Sequence, residues 1–250
     1  MPLGRALLDL VFAPICLGCD GPIAPGDAAR LICRRCRARL PVPPAPLCAR
    51  CGAPRLRTGR QERELSCREC ERWPPAVRAA RSACLLLPPA DRVVHQLKYR
   101  GWWALAQPMA ERMAAVALPP DVVAEARVVV PVPTTAARRR ERGYNQAELL
   151  ARGYAKRTGR QLLRALERST GASSQTSLQP AQRAANVSSA FRLAAGVERG
   201  LLAAHIILVD DVLTTGATAG ECTRVLVAAG ARAVSIVTFA RAPTVREVPT

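Results

Sequence analysis

Ile206-Ile207-Leu208-Val209 leads directly into Asp210-Asp211, and Val212-Leu213-Thr214-Thr215-Gly216-Ala217-Thr218 follows at once. Four successive apolar residues read as a strand buried on both faces, so two adjacent carboxylates stand at its carboxyl end. The loop after them consists of small and hydroxyl-bearing residues and opens into a helix over 217–229. Hydroxyls of Thr214, Thr215 and Thr218, with the first backbone N–H groups of that helix, form a cradle for a phosphate monoester. Gly216 permits close backbone approach. The carboxylates lie one ribose length from the cradle, where they accept hydrogen bonds from a vicinal diol. Two plainer readings compete: helix-capping acids beside an ordinary turn, or the acid end of a Walker-B strand. The second requires Gly-x-x-x-x-Gly-Lys-[Ser/Thr], which the chain lacks.

A second pattern lies near the amino terminus. Cys16-x-x-Cys19, Cys33-x-x-Cys36, Cys48-x-x-Cys51 and Cys67-x-x-Cys70 are separated within successive pairs by spacers of 13 and 15 residues. A two-residue gap lets both sulfurs of a tight knuckle face one ion at about 2.3 Å, and two knuckles complete a tetrahedron. Four pairs predict two zinc sites of four cysteines each, structural rather than catalytic because no coordination position stays open. Sequential pairing closes the shorter loops and is preferred; a cross-braced arrangement stays open on spacing alone. A disulfide scaffold fits poorly, for lack of an export signal and because the repeated spacing suits metal. With few large apolar residues, this segment would draw most of its stability from zinc, on the order of 10–16 kcal/mol per site. Cys84 and Cys222 fall outside the pattern and read as buried, unreactive thiols.

The elements that must position these residues emerge from residue 76 onward. Apolar runs at 83–87, 127–132, 205–209 and 233–239 read as strands, and 91–99, 103–117, 144–157 and 217–229 as helices. Buried strands alternating with helices predict an α/β fold, a mainly parallel sheet with helices on both faces. In such sheets ligands bind beyond the carboxyl ends of the strands. Pro131-Val132-Pro133-Thr134 ends one earlier strand, and Arg138, Arg139, Arg140 and Arg142 follow it. Residues 168–190 are polar and poor in core residues, which suits a mobile lid or an ordinary surface loop. His95 and His205 read as structural.

Composition narrows the classes of function. The chain has 250 residues, 49% hydrophobic and 22% charged, enough to fill a core, which argues against wholesale disorder. No apolar stretch approaches the ~18 residues of a membrane span. Residues 1–15 resemble an export sequence only superficially, since Asp9 interrupts the apolar run; an amphipathic opening helix and a cytoplasmic location are expected. The formal charge is +18, and 35 of the 37 basic residues are arginines, the lysines being Lys98 and Lys156. Eight thiolates around two zinc ions would lower it to about +14. That field favours polyanionic partners, although a GC-rich genome is an alternative source of such lopsided arginine usage. With only nine aromatic residues in the chain, a many-ringed stacking platform for single strands is not expected.

The 206–218 segment resembles the 5-phosphoribosyl-1-pyrophosphate signature of type I phosphoribosyltransferases. The resemblance implies that Asp210 and Asp211 hold the ribose hydroxyls, that Thr214, Thr215, Gly216, Ala217 and Thr218 bind the 5-phosphate, and that Mg²⁺ sits on pyrophosphate and ribose oxygens. Pro131, Val132, Pro133 and Thr134 are placed like the family's pyrophosphate loop. His95-Gln-Leu-Lys98-Tyr99-Arg-Gly101, Pro131-Val-Pro133, Arg142-Gly143-Tyr144-Asn145-Gln146, Gln175-x-x-Leu178, Arg183-x-x-Asn186-Val187 and Phe191 then occur in an order similar to the ComF family, associated with DNA uptake in competent bacteria. The likeness covers nearly the whole chain; Tyr144 stands where Phe is usual, and Thr134-Thr135 replaces a more apolar turn. It implies a double zinc-ribbon domain (1–75) before a domain of type I phosphoribosyltransferase fold (76–250), and it adds Lys98, Arg142, Asn145, Gln146, Gln175, Arg183 and Asn186 to the substrate-binding set. Two functions follow: transfer of phosphoribosyl to an acceptor the sequence does not reveal, or a non-catalytic module that senses phosphoribosyl pyrophosphate or binds single-stranded DNA beside a DNA-uptake helicase.

Overall fold

Side chains of the strand that carries the acid pair alternate between two cores. Ile206 and Leu208 enter one, Ile207 and Val209 the other, the two-residue period of a strand covered on both faces. The computed structural model describes residues 14–24, 31–55, 67–169 and 190–243. In chain order these form α1 (Arg34–Ala38), β1 (Val77–Leu85), α2 (Ala90–Tyr99), a 3-10 turn (Trp103–Leu105), α3 (Ala106–Ala114), α4 (Pro120–Glu125), β2 (Val128–Pro131), α5 (Ala136–Arg142), α6 (Gln146–Thr158), β3 (Gln161–Leu162), β4 (Leu166–Arg168), β5 (Phe191–Leu193), β6 (His205–Leu213), α7 (Ala217–Ala228) and β7 (Ala233–Arg241). Among the described residues the main sheet is parallel throughout, in the order β1-β7-β6-β2-β3. Residues of α2, α3 and α6 pack on one face; α7 and the antiparallel β4–β5 pair pack on the other. Helices α3 and α6 meet at Gly153, where an added Cβ would lie 2.7 Å from that of Ala110. No helix among the described residues is long and apolar enough to cross a membrane.

Departures from the sequence reading have local causes. Strand β1 begins at Val77 rather than residue 83, because Arg78 and Arg81 interrupt the apolar run of an edge strand. Strand β6 continues to Leu213, four residues past the expected end, because Asp210, Val212 and Leu213 stay in register with Thr238, Ala240 and Arg241 of β7. The helix expected over 103–117 splits: Pro108 has no N–H to bond the carbonyl of Ala104, so 103–105 winds as a 3-10 turn before α3. Helix α5 escapes sequence detection since none of its residues is buried; Thr135 caps its start and Gly143, in the left-handed region, its end.

The cysteine-rich segment does not stand apart from the sheet. Cys16, Leu17, Ile23, Ile32, Cys36 and Leu40 belong to the same core as Val93 and Leu97 of α2. Its backbone also covers the outer edge of β1: Ala80 N–H donates to Arg50 O and Leu85 N–H to Pro41 O, each at 2.6 Å. The scarcity of large apolar residues in this segment is thus partly offset by the core it shares with the sheet.

Candidate functional site

Strands β2 and β6 lie side by side, and the chain leaves them in opposite directions, toward β3 and toward β7. Their carboxyl ends therefore diverge into a crevice, the switch point at which parallel sheets take ligands. A cleft of about 420 Å³ opens there. Asp210, Asp211, Thr214 and Thr218 line it from β6 and α7, Val132, Pro133, Thr134, Arg138, Asn145 and Gln146 from beyond β2, and Asp91, His95, Lys98 and Tyr99 from α2.

Neighbouring side chains on a strand point to opposite faces. Asp211 faces α2 and is 3% exposed, with Lys98 Nζ 2.8 Å from its Oδ1. Its Oδ2 is buried with no hydrogen-bond partner among the described residues. Asp210 Oδ1 accepts the backbone N–H of Asp211 at 2.8 Å. Burial, and then the charge of Asp211, push the Asp210 carboxyl up to about 8, against the pull of that N–H and of Lys98. A buried acid with one orphan oxygen, beside a partly buried one, suits a partner that brings positive charge or hydroxyl donors: a divalent cation, a diol, or both.

Across the cleft, the turn into α7 divides its residues between two tasks. Thr214 and Thr218 face the cleft, whereas Thr215, Gly216 and Ala217 are not among its lining residues. Gly216 has φ +82°, a conformation that favours glycine. The space a side chain would need there is filled by Trp73, whose ring atoms would lie 2.4–2.6 Å from a Cβ at position 216. Trp73 Nε1–H donates to Thr215 O at 3.0 Å, and Thr215 Oγ1 accepts from Ala217 N at 3.4 Å.

On the β2 side, Pro131 is buried in the strand, and Val132 N–H donates to Val209 O at 3.0 Å. Asn145 works as a brace: its Nδ2 donates to Val132 O at 3.1 Å while its Oδ1 caps α6 through Ala147 N–H at 3.2 Å. Gln146 Oε1 accepts from Arg142 Nη1 at 3.0 Å, and the Arg142 guanidinium lies 5.0 Å over the Tyr99 ring, behind the cleft lining. Of the four arginines after the loop, Arg138 lines the cleft; Arg139 and Arg140 are exposed on α5 outside it. Gln175, Arg183, Asn186 and most of the expected lid lie outside the described residues.

Sequence reasoning missed Asp91, His95 and Tyr99. With Lys98 they follow i, i+4, i+7, i+8, one face of α2, a signal available from spacing alone. His95 was read as structural but is exposed at the cleft, its ring 5.1 Å from that of Tyr99. His205 is structural as expected, buried between Glu125 at 3.1 Å and Ser235 Oγ at 2.9 Å.

The cysteines gather into Cys16, Cys19, Cys33, Cys36 and Cys48, Cys51, Cys67, Cys70, the sulfurs of each set within 4.8 Å of one another. Separations of 3.9 Å (Cys19–Cys33), 3.6 Å (Cys51–Cys67) and 4.0 Å (Cys48–Cys70) bracket the ~3.8 Å edge of a tetrahedron with ~2.3 Å zinc–sulfur bonds. Pairing is sequential, and the cross-braced alternative falls. Gly18 and Cys33 direct backbone N–H groups at Cys16 Sγ, at 3.3 and 3.2 Å. Burial and neighbouring sulfurs push the Cys36 and Cys70 thiols up, so each set can hold four thiolates together only around a cation. The donor set fits zinc. Cys84 and Cys222 are fully buried, and burial raises both thiols.

The double zinc ribbon domain family matches residues 7–71. Along 233 residues, covering 89% of this chain and 94% of each relative, the chain is 31% identical to DNA utilization protein YhgH of Salmonella typhi and 29% identical to that of Escherichia coli K12. It is 26% identical to competence protein ComFC of Bacillus subtilis over 242 residues, 90% of this chain and 93% of that one. Among solved structures it is similar to glutamine phosphoribosylpyrophosphate amidotransferase from B. subtilis complexed with ADP and GMP, at 22% identity and TM-score 0.37 over 52% of this chain, which spans only a quarter (25%) of that enzyme. A double zinc ribbon ahead of a parallel sheet, and likeness to these relatives along nearly their whole length, make one statement: the chain belongs to the ComF family.

Proposed function

We propose that the cleft binds phosphoribosyl pyrophosphate with Mg²⁺ and that the chain acts in the handling of DNA taken up by the cell, the sense in which its relatives are named. The observation that carries the first part is the pairing of two adjacent carboxylates, the buried one with an orphan oxygen, with two threonine hydroxyls at a helix start across the same cleft. In this reading Asp210 and Asp211 accept hydrogen bonds from the ribose 2′- and 3′-hydroxyls. Thr214, Thr218 and the first amides of α7 hold the 5-phosphate. Val132, Pro133 and Thr134 run beside the pyrophosphate, with Lys98 and Arg138 opposing its charge. Mg²⁺ on the pyrophosphate would supply electrostatic stabilisation of the leaving group.

Transfer would proceed by displacement at C1. The acceptor's lone pair forms the new bond as the C1–O bond breaks, the bonding pair leaves on pyrophosphate, and the acceptor's proton passes to solvent. No protein nucleophile is needed, and the work of the site is positioning and charge stabilisation. Calorimetry with Mg-phosphoribosyl pyrophosphate on the wild type and on Asp210→Asn/Asp211→Asn tests the site: the double variant should lose binding, and unchanged affinity would overturn the assignment. Binding with no pyrophosphate release across a panel of acceptors would favour a sensor over a transferase.

A further inference from the structure

Trp73 belongs to none of the motifs above, yet it joins the second cysteine site to the phosphate loop. Its backbone N–H donates to Cys70 O at 3.1 Å, and its side chain packs on the small core of Cys48, Cys51, Ala53 and Cys70. The far end of the ring fills the space beside Gly216 and donates to Thr215 O, as described above. Pro74 follows the same course, its Cδ 3.4 Å from where a Cβ on Gly220 would sit. Beneath them Arg50, inside the Cys48–Cys51 knuckle, donates to four carbonyls: Cys70 at 3.0 Å, Trp73 at 3.1 Å, Pro74 at 2.6 Å and Val77 at 3.1 Å.

We infer that Trp73 is a positioning residue for the 214–218 loop, and that Arg50 and the second four-cysteine site hold Trp73 in place. A loop of small residues with a left-handed glycine has many conformations of similar energy, and a binding site built on it loses affinity for each one it must exclude. The indole removes those alternatives before ligand arrives: its N–H fixes the Thr215 carbonyl and its ring fixes the backbone at Gly216. The second ribbon is therefore part of the sugar-phosphate site, although none of its sulfurs touches the cleft. The consequence for affinity rests on the proposed function; the mechanical link between Trp73 and the loop does not.

The experiment uses the full chain with its metal and three variants, Trp73→Phe, Trp73→Leu and Arg50→Met. None alters a cysteine, so each should retain the wild-type zinc content, which separates loop positioning from collapse of the ribbon. Hydrogen exchange of ligand-free protein reads the loop directly: amides of 214–219 should exchange about tenfold faster in Trp73→Leu and Arg50→Met, with little change at β7, as loss of one or two hydrogen bonds implies. Trp73→Phe keeps the ring and loses the N–H, and should fall between. Calorimetry with Mg-phosphoribosyl pyrophosphate should show about tenfold weaker binding for Trp73→Leu and about threefold for Trp73→Phe. Unchanged loop exchange in Trp73→Leu overturns the inference, as does faster exchange with unchanged affinity. Unchanged exchange in Arg50→Met overturns the link to the ribbon. A wild type that ignores phosphoribosyl pyrophosphate overturns the proposed function instead, and the exchange data still decide whether Trp73 positions the loop.

Discussion

Replacing Asp210 by Asn should make the ligand-free chain less sensitive to rising pH. Burial, then the charge of Asp211, raise the Asp210 carboxyl from its ordinary 3.8 to about 8. Between those values the folded chain keeps a proton that the unfolded chain has released. Stability therefore falls as pH rises: the contribution is complete below about pH 4 and is lost on passing through pH 8, at up to ~1.4 kcal/mol per pH unit for one group. Asn has nearly the shape of the protonated acid and does not titrate. The stability difference should grow in favour of Asp210→Asn between pH 5 and pH 8, by about 1–3 kcal/mol once relaxation and water entry weaken the burial effect, or roughly 3–10 °C in Tm. Scanning calorimetry of both proteins at pH 5, 6, 7 and 8 provides the measurement, and titrations common to both cancel in the difference. A difference that stays flat, or slopes the other way, refutes the argument that Asp210 holds a proton in the folded state. A cation bound beside the pair would reverse its preference, so Mg-phosphoribosyl pyrophosphate should expel close to one proton at pH 7, measurable in buffers of different ionisation enthalpy.

Lys98→Met should leave Asp211 buried and unpaired and destabilise the chain by about 3 kcal/mol in denaturant titration. Lys98→Met/Asp211→Asn should recover most of that loss, and additive single effects would refute the coupling across the 2.8 Å contact. Metal analysis of the purified chain should find two zinc ions, with Cys84→Ala and Cys222→Ala retaining both and Cys51→Ser losing one. Loss of zinc in either alanine variant would contradict the two four-cysteine sets.

How far the site can be read from sequence depends on where each residue's partner lies. Asp210, Asp211, Thr214 and Thr218 lie within nine positions of one another, and the strand–turn–helix that presents them is written in the contiguous stretch 206–229. The cysteine pairs are legible for the same reason, since their ligand geometry is set by two-residue gaps. Lys98 sits 113 positions before Asp211, and no local pattern links them; the contact exists because α2 packs over the end of β6. Family resemblance supplied Lys98, and helix spacing from it points to Asp91 and Tyr99 on the same face, but only the packing of α2 shows that this face meets the cleft. Trp73 was invisible for a stronger reason. Its partner is a backbone carbonyl 142 positions away, and a carbonyl leaves no mark in a sequence. Gly216 did show a need for space, but a glycine does not say what fills the space.

The arginines carry the same lesson into electrostatics. Composition offers a basic field or a GC-rich genome as explanations of 35 arginines beside two lysines. Several of these side chains do something else. Arg50 donates to four carbonyls, Arg81 to those of Ala80 and Ala49 at 2.8 and 3.1 Å, Arg160 to that of Ala126 at 2.9 Å, and the buried Arg241 to that of Cys51 at 3.1 Å. Knuckles and edge strands leave carbonyls without partners in their own ladders, and a planar guanidinium with five donors can collect several at once where an ammonium, a compact point charge, fits fewer. Arg50, Arg81 and Arg241 all act where the ribbon meets the edge of the sheet. Several guanidinium donors are thus engaged inside the molecule, joining its cysteine-rich segment to the strands, and are not free to contact a polyanion directly. These residues still add to the field but cannot be counted as phosphate contacts, whereas Arg139 and Arg140, exposed on α5, remain available to an acidic partner.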